Sequence, residues 1–210
     1  MEEQAYLLII ALAVFLSWLL TGAATWYASR AGLLDHPGER HSHRRATPRG
    51  GGAGLVATLV LVTTVIAPWA APSDWAGCIL PGMIVLAITG WWDDHRSLGI
   101  GLRFFVQLAV TVYLLACLSG NDWAGGWVAM VVGGLFVLWM TNLYNFMDGS
   151  NGMAGLQGVF AGCVLAGLFG YAGEAQASLL SLLLAAVCAG FLPWNLGHAR
   201  VFMGDVGSLA

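Results

Sequence analysis

Seven apolar stretches, each close to the ~20 residues that a helix needs to cross a bilayer, occupy most of this chain: 5 to 27, 51 to 68, 75 to 92, 102 to 119, 127 to 143, 153 to 172 and 177 to 194. In hydrocarbon every backbone N–H and C=O must find its partner inside the protein, so runs of this length span as helices. The fold class read from them is all-α: a polytopic transmembrane helical bundle of about seven spans. Composition agrees, because 59% of the 210 residues are hydrophobic and 9% are charged, against about 25% charged in soluble domains. Short links join spans 2 to 7, so residues 1–210 are read as a single integral membrane domain. Glycines such as Gly133, Gly134, Gly158, Gly162, Gly167 and Gly170 suit close helix packing.

All eight basic residues are arginine. The missing lysines exclude a Walker-A loop and Schiff-base chemistry. A net charge of -3 without a charge block argues against nucleic acid as a partner. Glu2 and Glu3 precede the first apolar run, which is long enough to span, so that run is a helix and not a cleaved signal. Cys78, Cys117, Cys163 and Cys188 sit singly in apolar runs and are read as packing residues.

The connections alternate in kind. Those at 28–50, 93–101, 144–152 and 195–205 hold seven of the eight arginines and all five histidines, and Arg103 follows just beyond the second. Arginine excess marks the cytoplasmic side, which places the N-terminus outside. No span carries an ionisable residue at its middle, as a channel or transporter would.

Those four loops hold the groups capable of chemistry. Asp93 and Asp94 close span 3; adjacent carboxylates repel and need a cation or a shared proton, unless they are simply a solvated helix exit. Asn142, Asn145 and Asp148 are spaced by three, so a continuing helix aligns them as one polar stripe before Gly149 and Gly152 break it. Asp205 lies between glycines in an apolar setting, where a lone acid is expensive without a metal or a cation. The loop from Asp35 to Gly52 is basic and runs into glycines; it anchors the inner face, and its arginines with free backbone N–H groups at a helix start also suit phosphate. His41 and His43 alone make a poor zinc site. Hard carboxylates, amides and arginines without thiols favour magnesium with a phosphorylated substrate.

Four motifs occur in order: the acid pair 93–94, N-x-x-N-F-M-D-G-x-N-G at 142–152, W-N-x-x-x-A-R-V-F-M-G-D-V-G-S at 194–208, and D-x-P-x-x-R-x-x-H-x-x-x-T-P-R-G-G-G at 35–52. Together they resemble the polyprenyl-phosphate N-acetylhexosamine-1-phosphate transferases (glycosyltransferase 4-like), and the T-P-R-G-G-G loop resembles the O-antigen or lipopolysaccharide branch. The resemblance implies a magnesium-dependent phosphotransferase, with manganese as the alternative ion. It would transfer N-acetylhexosamine 1-phosphate from a UDP-N-acetylhexosamine to undecaprenyl phosphate, on the cytoplasmic face of the bacterial inner membrane, and it allows a homodimer. It further implies Asp93 and Asp94 as catalytic, Asp205 and Asp94 as metal ligands, and Asn145, Asp148, Asn195, Phe202, Arg49 and Asn151 as substrate-binding, with Phe202 stacking on uracil. Many members carry an acid where this chain has Asn151. Members are also longer and have further spans, so the chain resembles the N-terminal two-thirds of a transferase, expected to be inactive alone. The alternative from another class is a non-catalytic carrier of lipid phosphate or nucleotide sugar, which would release no UMP.

Overall fold

The computed structural model describes residues 2–35, 46–70, 74–118 and 126–210. The basic stretch 36–45, with His41 and His43, lies outside them. Seven long helices follow the apolar stretches: α1 (Glu2–Ala31), α2 (Gly52–Ala70), α3 (Asp74–His95), α4 (Ile100–Leu118), α5 (Gly126–Met147), α6 (Met153–Tyr171) and α7 (Ala175–Asn195). A single turn, α8 (Asp205–Ser208), comes last. Among the described residues α1 and α4 to α7 are long and apolar enough to cross a membrane, and α2 adds a shorter apolar run, Gly52–Thr64. The all-α polytopic architecture is as expected, with five crossings supported by length and composition.

Helix α7 packs between α1 and α6. Lipid tails are as apolar as leucine, so close approach and polar cross-links, rather than water exclusion, hold such helices together. Ser17 Oγ donates to the Val187 carbonyl at 2.6 Å, and Trp194 Nε1 donates to the Trp18 carbonyl at 3.0 Å. Gly162 of α6 lets the Ser181 and Ala185 backbones of α7 come within contact, as expected for a packing glycine, whereas Gly167 faces open space. Helices α4 and α5 expose Phe104, Phe105, Phe136 and Trp139, large apolar side chains suited to face lipid.

Two expectations are corrected. Cys78 of α3 and Cys117 of α4 form a disulfide with Cα atoms 6.0 Å apart, so only Cys163 and Cys188 are free. The pairing follows from the α3–α4 hairpin, which brings the start of one helix beside the end of the other. The glycine N–H groups at the start of α2 are also not free. A two-residue ladder, β1 (Leu34–Asp35) against β2 (Thr47–Pro48), leads into a bridge between Arg49 and Phe202. The Gly51 and Gly52 N–H groups then donate to the Phe202 and Met203 carbonyls at 3.0 and 2.8 Å. The basic loop thus pairs its backbone with the segment ahead of Asp205.

Candidate active site

Four aspartates from distant parts of the chain converge at one end of the bundle. Asp93 and Asp94 end α3, Asp148 follows α5, and Asp205 opens α8. Two glycines allow the convergence. A Cβ at Gly90 would collide with the Asp205 carbonyl, so α8 can lie directly on α3 only because position 90 is bare. Gly204 has φ +73°, the left-handed region that favours glycine, and a Cβ there would stand 2.7 Å from Asp94 Oδ2.

The adjacent carboxylates turn to different partners. Asp93 Oδ1 accepts the Leu98 N–H, and its Oδ2 accepts from Arg103 Nη1 at 2.9 Å. Asp94 is buried and accepts the Asp205 and Val206 N–H groups, one on each oxygen, both at 3.1 Å. Arg49 Nη2 donates to the Asp94 carbonyl at 2.9 Å, and its Nε stands 3.7 Å from Asp94 Oδ1. Each acid therefore has its own cation, which answers the repulsion expected of the pair.

Asp205 is the partly open member. Its Oδ2 receives a second bond from Arg103 Nη1, at 3.2 Å, and its Oδ1 receives Asn145 Nδ2, which also donates to Ser208 Oγ at 2.8 Å. Burial raises the Asp205 carboxyl above its ordinary range, and the neighbouring Asp93 adds to the rise while Asn145 and Arg103 oppose it. Asp148 is buried, with its Oδ1 and Oδ2 accepting the Met203 and Gly204 N–H groups at 2.8 and 2.6 Å. Burial pushes it up to about 7, against the pull of those two bonds.

The remaining expected residues face the backbone. Asn195 is buried; its Oδ1 accepts the Gly152 N–H at 2.8 Å and its Nδ2 donates to the Val201 carbonyl at 2.9 Å. Asn151 Nδ2 donates to the Gly197 carbonyl at 2.7 Å. Phe202 is 2% exposed, so a base stacks on its ring only after its neighbours move. In the polar stripe Asn142 reaches Gln107 of α4 at 2.9 Å, while Asn145 reaches Asp205. Sequence reading missed Arg103 as a site residue. Its signal was a lone arginine in the first turn of an apolar helix, which is costly at a membrane boundary unless an acid pairs with it.

Among the described residues no three histidine, cysteine or acidic groups converge as a closed metal cage. The partly open Asp205 and the buried Asp93 that shares its arginine are hard oxygen donors, a set that fits an ion sharing its coordination with substrate phosphates.

A family model for glycosyl transferase family 4 matches residues 76–210, which takes in all four aspartates and Arg103. The chain belongs to this family. Similar family members include a probable undecaprenyl-phosphate N-acetylglucosaminyl 1-phosphate transferase of Bacillus subtilis, 28% identical over 100% of this chain and 61% of that protein. A decaprenyl-phosphate N-acetylglucosaminephosphotransferase of Mycobacterium tuberculosis is 29% identical over 94% of this chain and 55% of its own length. An undecaprenyl-phosphate alpha-N-acetylglucosaminyl 1-phosphate transferase of Thermotoga maritima is 30% identical over 92% and 58%. The chain thus spans less than two thirds of the curated family members it matches.

Proposed function

We propose that the protein to which this chain belongs transfers N-acetylhexosamine 1-phosphate from a UDP-sugar to undecaprenyl phosphate. The observation that carries the reading is Arg103, whose one nitrogen bonds both Asp93 and Asp205 at the bundle end that gathers the four aspartates. Phosphoryl transfer needs positioning and charge neutralisation more than covalent help from the protein. Two acids and a guanidinium held in register offer both.

In this mechanism Asp93 takes the remaining proton from the lipid phosphate and leaves it dianionic. A lipid phosphate oxygen attacks the β-phosphorus of the UDP-sugar, the bond from that phosphorus to the UMP oxygen breaks, and UMP departs. Arg103 keeps one guanidinium against the charge that develops. Asp205, with Asp93 beside it, would hold magnesium, or manganese in its place. Bound there, the ion neutralises the diphosphate. The names of the relatives support the sugar phosphate and the lipid carrier. The T-P-R-G-G-G loop at 47–52 supports the O-antigen or lipopolysaccharide branch. Clustering of arginines on the site's side supports a cytoplasmic face at the inner membrane.

The test is product release by the full-length protein in detergent, given UDP-N-acetylglucosamine, undecaprenyl phosphate and magnesium. Stoichiometric UMP supports the proposal. UDP as the product would indicate plain glycosyl transfer, and binding without either nucleotide would indicate a carrier; both overturn it.

A further inference from the structure

Two of the four aspartates turn both carboxylate oxygens to backbone N–H groups. Asp148 accepts the N–H groups of Met203 and Gly204, and Asp94 accepts those of Asp205 and Val206. Four successive backbone donors thus end on the four oxygens of two buried side chains. Such an arrangement suits the run into a helix start, where backbone N–H groups have no intrahelical partner. Residues 203 and 204 precede α8. The opposite edge of the segment is held as well: the Phe202 and Met203 carbonyls accept the Gly51 and Gly52 N–H groups. Asp93 and Asp205 differ from this pair, because each gives one or both oxygens to a side chain: Arg103 for both and Asn145 for Asp205, with the Leu98 N–H on the other Asp93 oxygen.

We propose that Asp94 and Asp148 are positioning residues, which act on the reaction by clamping the backbone 203–206 that carries Asp205 and touch neither substrate nor metal. The proposal rests on the function proposed above for its kinetic consequence, but the clamp itself is a property of the substrate-free protein. It divides the adjacent acids: Asp93 faces the chemistry and Asp94 faces the backbone. The ionised acid at 148 offers both N–H groups only acceptors, whereas an amide there would set its own NH2 donors against one of them.

Hydrogen exchange of the full-length protein without substrate or metal tests the clamp. Asp94→Asn and Asp148→Asn should each speed exchange in peptides covering 200–210 by about tenfold or more, the scale of losing one or two hydrogen bonds. Peptides from α1 and α7 should be unchanged. In the transfer assay both clamp variants should lower kcat with the KM for UDP-N-acetylglucosamine within about threefold, because the donors for the nucleotide stay in place. Asp94→Glu and Asp148→Glu, which keep two acceptor oxygens, should restore part of both the protection and kcat, and they serve if the Asn variants do not accumulate. Unchanged exchange at 200–210, a rise in KM as the main effect, or faster exchange throughout the protein would each overturn the proposal. Failure of UMP release with the clamp pattern intact would instead overturn the function alone.

Discussion

Asp93 and Asp205 share one guanidinium nitrogen: Arg103 Nη1 stands 2.9 Å from Asp93 Oδ2 and 3.2 Å from Asp205 Oδ2. This bridge joins the end of α3 to the start of α8 through the first turn of α4. It leaves two acids against one cation, an excess of negative charge suited to a divalent ion. Arg103→Gln should therefore lower turnover in the full-length protein by at least ~100-fold, the scale of removing a charged donor from a phosphoryl-transfer site. Arg103→Lys should keep more activity than the Gln variant, since a single nitrogen makes both bonds. Equal activity of Gln, Lys and wild type in the UMP assay would show that the bridge is incidental.

Asp205→Asn and Asp93→Asn should each cost at least ~100-fold in turnover, as expected when a metal ligand or a general base is lost. Glu174 precedes α7 at the opposite end of the bundle, so Glu174→Gln should be near neutral. The measurement is initial rate against magnesium concentration. An Asp205→Asn protein with the wild-type magnesium dependence would remove the metal assignment.

The Cys78–Cys117 disulfide lies at the end of the α3–α4 hairpin opposite to Asp93 and Asp94. If those acids face the cytoplasm, the disulfide faces the oxidising side, where such bonds persist. Counting thiols in the denatured 210-residue chain with a maleimide-polyethylene glycol should give two without reductant and four with it. Four in both cases would contradict the sidedness.

Much of this arrangement is legible from sequence, and the parts that are not share a cause. Apolar length located the helices within a few residues, because the bilayer fixes how much chain must be apolar. The motif loops likewise drew attention to all four aspartates. Sequence could not show which way each carboxylate turns: Asp93 and Asp94 are chemically identical neighbours, and only the packing of α4 and α8 turns one to Arg103 and the other to two backbone N–H groups. The same holds for Cys78 and Cys117, whose pairing depends on a helix hairpin, and for Gly51 and Gly52, whose N–H groups are taken by a segment far along the chain.

Asp148 gives a pH signature. Its carboxyl rises from an ordinary value of 3.8 to about 7 on burial, so the folded protein holds a proton that the unfolded chain has lost. The stability this contributes is complete below about pH 4 and declines as pH rises through 7. Asp205, also raised, adds to the same trend. The Tm of the full-length protein in detergent should fall between pH 5 and 8, and Asp148→Asn should flatten part of that fall while leaving the share due to Asp205. A variant with the wild-type slope would show that Asp148 is ionised throughout.

In the proposed reaction a sugar phosphate, and not a sugar, moves onto the lipid. The most direct measurement gives the full-length protein UDP-N-acetylglucosamine radiolabelled at its β-phosphate, with undecaprenyl phosphate and magnesium, in membranes from a host deleted for its own transferases. The label should enter the lipid fraction one for one with UMP, and Arg103→Gln should abolish the transfer. Label that stays with the nucleotide while N-acetylglucosamine appears on the lipid would contradict it.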